Sequence, residues 1–321
     1  MSAEASIVFF GSPEAAVPAL RALHEAFNVV LVVTQPDRPA GRGRRWTPPP
    51  VKSAALELGI PVYQPNSLHC SDALVTLAAV QPDFLVVLAY GEILPADALS
   101  LPRIAPVNAH MSLLPRHRGP SPVSAAILAG DSHTGVSTMR MERKMDTGPL
   151  FLSKSVPIAP ADTAGSLSTR LATLAAELLV ATLKGILDGS LSEQPQQGEP
   201  SYSRILKKVD GLIDWNAPAA KIERMTRAYF PWPAAFTCFA APGGGRRMLR
   251  ILKSSADECR NVKPAAAVPH PGEVLSAATS LEVACAPGVL SISRVQPEGR
   301  QPMCIRDFLN GHRLLPGTVL G

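Results

Sequence analysis

The stretch IVFFGSPEAAVPALRALHEAFNVVLVVT, residues 7–34, holds the pattern that decides the fold. A short apolar run, Ile7–Phe10, is followed by a helix-like segment, Glu14–Leu23, and then by a second apolar run, Val29–Thr34. Apolar runs of this length are typical of buried strands, whereas apolar residues three and four apart indicate an amphipathic helix. Because strands joined through a helix pair in parallel, this stretch predicts the first unit of a parallel sheet.

The same alternation continues through the first 189 residues. Further strand-length runs are Phe84–Leu88, Gly135–Met141 and Phe151–Pro157, and further helix-like segments are Val51–Leu58, Ser71–Ala79 and Pro122–Ala129. A long amphipathic segment opens at Asp162-Thr163, which has the composition of an N-cap, and ends at Asp188-Gly189. We therefore predict an α/β fold over residues 1–189, with a doubly wound, Rossmann-like parallel sheet.

The pattern changes after residue 189. Residues 190–203, SLSEQPQQGEPSYS, are polar and rich in Pro, Gln and Ser, and they predict an interdomain linker over residues 190–207. One short helix near Pro218–Ala228 comes next, and then brief strands broken by Gly and Pro. These strands are Ala235–Phe239, Met248–Lys253, Gly272–Leu275, Leu281–Cys285 and Val289–Val295. Short strands at this spacing predict a second domain, residues 208–321, built as a small β-barrel.

Several locations are excluded by the sequence. The N-terminus has no basic start and only four apolar residues before Gly11, so no secretory signal is expected. No apolar run approaches the roughly 18 residues of a membrane span. The five cysteines are scattered without a C-x-x-C pair and are expected to be free thiols in a reducing compartment. We expect a cytoplasmic protein without membrane contact.

Several chemistries are excluded as well. The turn Gly11-Ser12-Pro13-Glu14 follows the first strand, where a dinucleotide-binding fold carries G-x-G-x-x-G, and it keeps only one of those glycines. A nicotinamide dehydrogenase is therefore not expected. No P-loop, H-E-x-x-H or G-x-S-x-G motif occurs, and the seven histidines show no metal-ligand spacing. We expect no metal and no serine-hydrolase chemistry.

The charge is distributed unevenly along the chain. Residues 1–200 contain 15 Lys and Arg against 17 Asp and Glu, a net −2, whereas residues 201–321 contain 16 against 9, a net +7. A basic C-terminal part suggests a polyanionic partner, although a merely soluble basic domain explains the charge equally well.

The residues best suited to catalysis are Asn108, His110 and Asp146. Asn108 and His110 are two apart after the apolar segment Ile104–Val107, so on an extended chain both side chains lie on one face. An Asn amide stabilises an oxyanion, and a His beside it either donates to the same oxygen or takes the proton of the attacking amine. A carboxylate fixes the tautomer of that His, and we expect Asn108 and His110 to stabilise the oxyanion while Asp146 orients His110 and assists proton movement toward the leaving nitrogen. Together they suit transfer of an acyl group to an amine. Taken singly, an Asn capping a turn, a core His and an ordinary turn Asp explain the same residues.

The string Asn108-Ala109-His110-Met111-Ser112-Leu113-Leu114-Pro115, with Asp146-Thr147-Gly148 downstream, resembles the signature of the 10-formyltetrahydrofolate-dependent formyltransferases. The resemblance implies that Asn108, His110 and Asp146 are catalytic and that 10-formyltetrahydrofolate is the formyl donor. It also implies folate-binding residues, in the segment just quoted and at a pterin-binding edge. These are Ser112, Leu113, Leu114 and Pro115, together with Tyr90, Glu92 and Leu94.

A cationic loop bears on the identity of the acceptor. Residues 34–45, TQPDRPAGRGRR, contain four arginines, two glycines and two prolines, as expected of an arm for phosphates or a splayed RNA end, or of a solvated surface loop. The segment T-Q-P-D-R-P-A-G-R-G resembles the insertion typical of methionyl-tRNA formyltransferases. Similarity continues at Asp210–Trp215, at Arg227–Pro233 and at Leu315-Pro316-Gly317, so it covers essentially the whole chain.

The resemblance implies an OB-like fold for the second domain and contact with tRNA. Candidate tRNA-binding residues are Arg38, Arg42, Arg44, Arg45, Lys207, Lys208, Arg246 and Arg247, of which Arg42 is supported by a tight motif and the others by charge. The sequence departs from the family pattern at four places. Ala15 replaces an aromatic, His117 a tryptophan and Phe230 an asparagine, and Lys144 precedes the Met145-Asp146 step, which puts the shape of the methionine pocket in doubt.

The expected reaction is formylation of the α-amino group of methionine on initiator tRNA, with 10-formyltetrahydrofolate as co-substrate. The expected partners are initiator methionyl-tRNA and the small-molecule folate, and the expected state is a monomer. Two alternatives stay open at this point. A sugar-nucleotide formyltransferase has the same catalytic core but no need for the arginine arm, and a non-catalytic RNA-binding protein explains only the basic barrel.

Overall fold

The structure of the protein is a computed structural model that describes residues 5–40, 43, 45–240, 244–258, 269–312 and 314–321. The chain forms two compact units. The first contains Met1–Pro122, His133–Pro157 and Ser168–Arg204, and the second contains Val123–Ser132, Ile158–Leu167 and Ile205–Gly321. None of the described helices is long and apolar enough to cross a membrane.

The first unit is built on a seven-stranded sheet. Its strands are β1 (Ser6–Phe10), β2 (Asn28–Val33), β5 (Val62–Tyr63), β6 (Phe84–Val87), β7 (Ala105–His110), β8 (His133–Arg140) and β9 (Leu150–Pro157). Two further strands, β3 (Arg38–Ala40) and β4 (Arg45–Thr47), form a separate hairpin. The order in the sheet is β5-β2-β1-β6-β7-β8-β9. The first five strands in this order are parallel, whereas β8 pairs antiparallel with both β7 and β9. The predicted Rossmann-like sheet is confirmed, with two antiparallel strands added at one side.

Helices join most of these strands. They are α1 (Val17–Ala26), preceded by a 3-10 turn at Glu14–Ala16, then α2 (Pro50–Glu57), α3 (Ser71–Val80), α4 (Ala96–Leu99), α5 (Pro122–Ala129) and α6 (Ala164–Leu187). Most of α5 and the first four residues of α6 belong to the second unit. The predicted N-cap of the long helix is present, because Thr163 Oγ1 accepts a hydrogen bond from Ser166 N at 3.2 Å. All four residues of β6 are buried, as expected of a central strand covered on both faces.

The second unit is mainly antiparallel sheet. Its elements are α7 (Ala219–Ala228), β10 (Ala235–Ala240), β11 (Arg246–Asp257), β12 (Val274–Ala277), β13 (Leu281–Ala284), β14 (Val289–Pro297), β15 (Met303–Cys304) and α8 (Ile305–Gly311). The strand order is β10-β11-β14-β13-β12, and β15 adds to β14. Register shifts near Lys253 interrupt the long β11 ladder, and such bulges bend a strand over a core. That core includes Trp215, Phe239 and Phe308, so the predicted OB-like domain is confirmed.

Candidate active site

Asn108 and His110 lie on the last half of β7, at the carboxyl edge of the parallel strands. Both are buried, at 9% and 7% exposure, and both belong to the strand itself rather than to the loop after it. Asn108 pairs with Val87 of β6 and with Met139 of β8, and His110 pairs with Ser137 of β8. Because strand residues two apart point to the same face, the amide and the imidazole lie on one side of the sheet.

The ring of His110 is held by a backbone carbonyl. Its Nε2 lies 2.9 Å from the carbonyl oxygen of His117, and a carbonyl can only accept, so Nε2 is the nitrogen that donates. His117 is buried, has φ 55° and donates its own N–H to Ser201 Oγ at 2.9 Å. The contact to His110 uses the main chain of His117, so it does not depend on the side chain at this position.

Asp146 faces the other ring nitrogen. Its Oδ2 lies 3.7 Å from Nδ1 of His110, within reach of an ion pair with a protonated ring but longer than a hydrogen bond. The same Oδ2 accepts a hydrogen bond from Gly119 N at 2.7 Å. The structure therefore brings the carboxylate to the imidazole, while the neutral tautomer of the ring is set by the His117 carbonyl and not by Asp146.

The turn that carries Asp146 has a strained backbone. Asp146 has φ 55°, which is uncommon outside glycine. Gly148 packs so closely on the carbonyl of Arg140 that a Cβ there would lie 1.9 Å from it. Strain of this kind persists only where the surroundings fix the backbone, and it concentrates at functional sites.

Gln196 fixes this turn from the side. Its Nε2 donates to the carbonyls of Asp146, at 2.9 Å, and of Gly148, at 2.8 Å. Its Oε1 accepts from the guanidinium of Arg118, at 2.6 Å from Nη2. Gln196 lies in the segment predicted as linker, where nothing in a polar run distinguishes one Gln from the next, so no pattern in the sequence points to it.

The first predicted folate-binding segment, residues 112–115, is fixed by hydrogen bonds and by packing. Ser112 is fully buried, and its hydroxyl donates to Arg116 O at 2.6 Å. Ser137 Oγ donates to Ser112 O at 2.9 Å and accepts from Leu114 N at 3.2 Å. The Leu114–Pro115 peptide is cis, and the side chain of Leu113 covers the Cα of Gly135. This segment follows β7 directly, so it lies beside Asn108 and His110.

The second predicted folate segment has side chains with structural roles. Tyr90 and Leu94 are buried in a core cluster, and the Tyr90 ring packs edge-on against Phe10 at 5.4 Å. Burial raises the pKa of Tyr90 well above its usual range, and the nearby charge of Glu92 adds to this. The Glu92 carboxylate accepts from Ser67 Oγ, at 3.0 Å, and from Leu68 N, at 3.1 Å. The side chains of Tyr90, Leu94 and Glu92 therefore have packing or hydrogen-bonding roles within the fold, while the Tyr90 hydroxyl has no hydrogen-bond partner among the described residues.

The predicted tRNA-binding residues fall into three groups. Arg38 and Arg45 are exposed on the β3–β4 hairpin of the first unit, and Arg42 and Arg44 lie outside the described residues. Lys207 and Lys208 are exposed at the start of a 3-10 turn, Lys208–Gly211, in the second unit. Arg246 and Arg247 are exposed at the start of β11, and the guanidinium of Arg246 donates to the carbonyl of Gly321.

Metal-ligating side chains are not clustered in the described part of the chain, where no group of three or more His, Cys, Asp or Glu is placed to hold an ion.

Two family models match the chain. The formyl transferase model matches residues 5–183, and the model of the formyl transferase C-terminal domain matches residues 205–313. Methionyl-tRNA formyltransferase of Roseiflexus sp. is 45% identical over 98% of this chain and 95% of its own length. The enzyme of the same name from Methylococcus capsulatus is 44% identical over 98% and 99%.

The chain belongs to the methionyl-tRNA formyltransferase branch of the formyl transferase family.

Solved structures of less similar proteins share the fold. A sugar 3N-formyltransferase, WlaRD, superposes with a TM-score of 0.64 over 93% of this chain and 99% of its own, at 16% identity. HypX from Aquifex aeolicus superposes with a TM-score of 0.60 over 96% of this chain and 49% of its own, at 15% identity. At such identity the likeness concerns architecture. The relatives that share 44–45% identity along the whole chain are the ones from the methionyl-tRNA branch.

Proposed function

We propose that this protein transfers the formyl group of 10-formyltetrahydrofolate to the α-amino group of methionine esterified to initiator tRNA. The observation that carries the proposal is the pair of buried residues Asn108 and His110 at the carboxyl edge of β7, with the partly buried Asp146 facing His110, in a chain that keeps both domains of the methionyl-tRNA branch. The products are formylmethionyl-tRNA, which serves translation initiation, and tetrahydrofolate.

His110 acts as the proton acceptor. Because Nε2 donates to the His117 carbonyl, the neutral ring presents the lone pair of Nδ1 toward Asp146. An α-amino group titrates at about 7.7–8.0, so near neutral pH only modest assistance is needed to obtain the neutral amine. The amine nitrogen bonds to the formyl carbon, and its surplus proton passes to Nδ1. Asp146, 3.7 Å away, then stabilises the imidazolium that forms.

Asn108 stabilises the oxyanion. When the amine adds to the formyl group, the carbonyl π electrons move to the oxygen, and a side-chain N–H aimed at it lowers the barrier. Asn108 is fixed in a buried strand between two neighbours, so it loses little conformational freedom at the moment of reaction. Collapse of the tetrahedral carbon releases the folate nitrogen, which takes up the proton that His110 received.

The tRNA is held by cationic side chains in both units. Arg38, Arg42, Arg44 and Arg45 belong to the insertion after β2, and Lys207, Lys208, Arg246 and Arg247 belong to the basic C-terminal part. Phosphate contacts of this kind give affinity that falls steeply with salt. The sugar-nucleotide alternative offers no reason for so many cationic residues in these two segments.

The decisive experiment incubates the protein with charged initiator tRNA and 10-formyltetrahydrofolate and measures formylmethionine released after deacylation. Matched reactions contain uncharged tRNA, charged elongator tRNA or an amino-sugar nucleotide. Formylation of the charged initiator tRNA alone is expected. Turnover of the amino sugar without turnover of the tRNA would favour the sugar-nucleotide alternative, and no transfer to any acceptor would favour a non-catalytic RNA-binding protein.

A further inference from the structure

The β3–β4 hairpin carries a tryptophan that has no part in any core. Trp46 is 73% exposed, whereas Trp215 of the second unit is 4% exposed. In the register of the hairpin, Trp46 pairs with Pro39, and Arg38 pairs with Thr47. Single exposed apolar residues are common on protein surfaces, so exposure alone indicates no function. The residues around Trp46 on the hairpin indicate whether its exposure has a function.

The two faces of the hairpin differ in character. Cross-strand partners point to the same face, so Pro39 and Trp46 share one face. Arg38 and Arg45 lie one residue away from these positions, so they share the opposite face. All four side chains are exposed. The hairpin thus presents a flat apolar surface on one side and two guanidinium groups on the other.

The base of the hairpin is anchored, although its faces are not covered. Lys52 Nζ donates to both carboxylate oxygens of Asp37 at 2.8 Å. Gln64 Nε2 donates to Asp37 Oδ1 and to Gln35 O, both at 2.8 Å. Gln35 N donates to Ser12 Oγ at 3.2 Å, which ties the segment to the turn after β1. Because its base is anchored, the exposed hairpin has a defined position relative to the seven-stranded sheet.

The hairpin leaves the same sheet edge as the catalytic residues. It follows β2, and β2, β1, β6 and β7 are consecutive parallel strands, so their carboxyl ends meet at one edge. Three strand spacings separate β2 from β7, which is about 14 Å. A tRNA whose methionyl amine reaches His110 has its terminal nucleotides within such a distance of the site.

We propose that Trp46 stacks on an unpaired base of the single-stranded 3′ end of the tRNA substrate, with Arg38 and Arg45 turned toward the adjacent phosphates. The inference rests on the function proposed above and adds a base-binding residue to it. Unpaired bases are bound chiefly by stacking on aromatic rings, and stacking accepts any base because every base has a π-face. The indole on one face suits a base, and the guanidinium groups on the other face suit the phosphates of neighbouring nucleotides.

The test compares three variants at position 46 with the wild type. Steady-state formylation is measured against the concentration of charged initiator tRNA, at saturating folate. For Trp46→Ala we expect KM for tRNA to rise about 5- to 100-fold, as loss of one stacked base predicts, with kcat within about twofold. Trp46→Phe should recover most of the loss, whereas Trp46→Leu, which keeps an apolar side chain without a π-face, should not.

Two controls separate stacking from charge and from general surface changes. Val75→Ala removes another exposed apolar side chain, 68% exposed on α3, and should leave KM unchanged. Arg38→Ala with Arg45→Ala should lower the slope of log KM against log salt by about 2, whereas Trp46→Ala should shift the line without changing its slope. In addition, tRNA should quench a component of tryptophan emission that is missing from Trp46→Phe.

The outcomes distinguish this inference from the function on which it rests. A wild-type protein that formylates no tRNA would refute the proposed function. An active wild type with unchanged KM in Trp46→Ala would refute only the role of Trp46. Full recovery by Trp46→Leu would likewise overturn stacking, because it would show that any apolar side chain suffices.

Discussion

The carboxyl end of β7 and the β3–β4 hairpin lie at the same edge of one sheet and are built in opposite ways. At β7, Asn108 and His110 are buried, and a backbone carbonyl and a carboxylate flank the His110 ring. On the hairpin, Arg38, Arg45 and Trp46 are exposed and make few contacts. Chemistry needs atoms fixed before the reaction, whereas a long polyanion is held by many weak contacts that adapt. We therefore expect substitutions at β7 to lower kcat, and substitutions on the hairpin to raise KM for tRNA by a smaller factor.

The largest effects are expected at β7. Asn108→Ala and His110→Ala should each lower kcat about 10²- to 10³-fold with little change in KM for tRNA, because each removes a group that acts in the transition state. Turnover under saturating substrates and the melting temperature should be measured together. The matched controls are Asn28→Ala and His69→Ala, which alter exposed residues of the same type. Near-full kcat in either β7 variant would refute the assigned role.

A smaller loss is expected from Gln196→Ala. The variant removes both hydrogen bonds that fix the carbonyls of Asp146 and Gly148, so the carboxylate is held less firmly opposite His110. We expect kcat to fall about tenfold with KM for tRNA unchanged, since a small displacement of a catalytic group costs this much. Gln197→Ala, one residue along the same segment, serves as the control. Equal kcat in the two variants would assign the contact a purely structural role.

Gln196 and His117 also mark the limit of what the sequence predicts. The period of two along an extended chain was enough to place Asn108 and His110 on one face, and the structure has them on one strand. The contact from His110 to the His117 carbonyl depends on backbone conformation, φ 55° at His117, which no side-chain pattern encodes. For Gln196, only the folded chain reveals which of several glutamines meets the turn.

The direction of strands β8 and β9 is also not predicted by the sequence pattern. Apolar runs at β8 and β9 were predicted from residues 135–141 and 151–157, but a run of buried residues is the same whichever way the strand is paired. The nine residues between β8 and β9 contain no helix, and such a short connection favours an antiparallel pair. The Pro, Gly and Arg content of residues 34–45 predicts a loop, whereas the structure has the paired strands β3 and β4 within this segment.

Removal of the exposed Lys and Arg side chains should weaken the affinity for tRNA and leave kcat unchanged. Lys207→Ala with Lys208→Ala, and separately Arg38→Ala with Arg45→Ala, should each raise KM for tRNA a few-fold at moderate ionic strength. Each pair should reduce the salt slope by about 2 if both side chains meet phosphates. Arg21→Ala, which removes an exposed cation already paired with Glu57, is the control. A fall in kcat without a change in salt slope would contradict the division between the two regions.

The smallest catalytic effect is expected at Tyr90, which the family resemblance assigns to the folate-binding edge but whose ring belongs to the core. Tyr90→Phe should keep kcat and KM for folate within about twofold, since the ring packs on Phe10 in the core and the substitution preserves that packing.

Its effect should appear in the pH dependence of stability instead. The pKa of Tyr90 is raised in the folded state, so the neutral phenol is favoured there, and its contribution is complete below the usual value of 10.0 and declines as pH rises above it. The wild type should therefore lose more unfolding free energy than Tyr90→Phe between pH 9 and pH 11, roughly the range around that usual value, as measured by urea denaturation. Equal slopes would mean that the phenol ionises normally, and a large loss of kcat would mean that its hydroxyl reaches the folate.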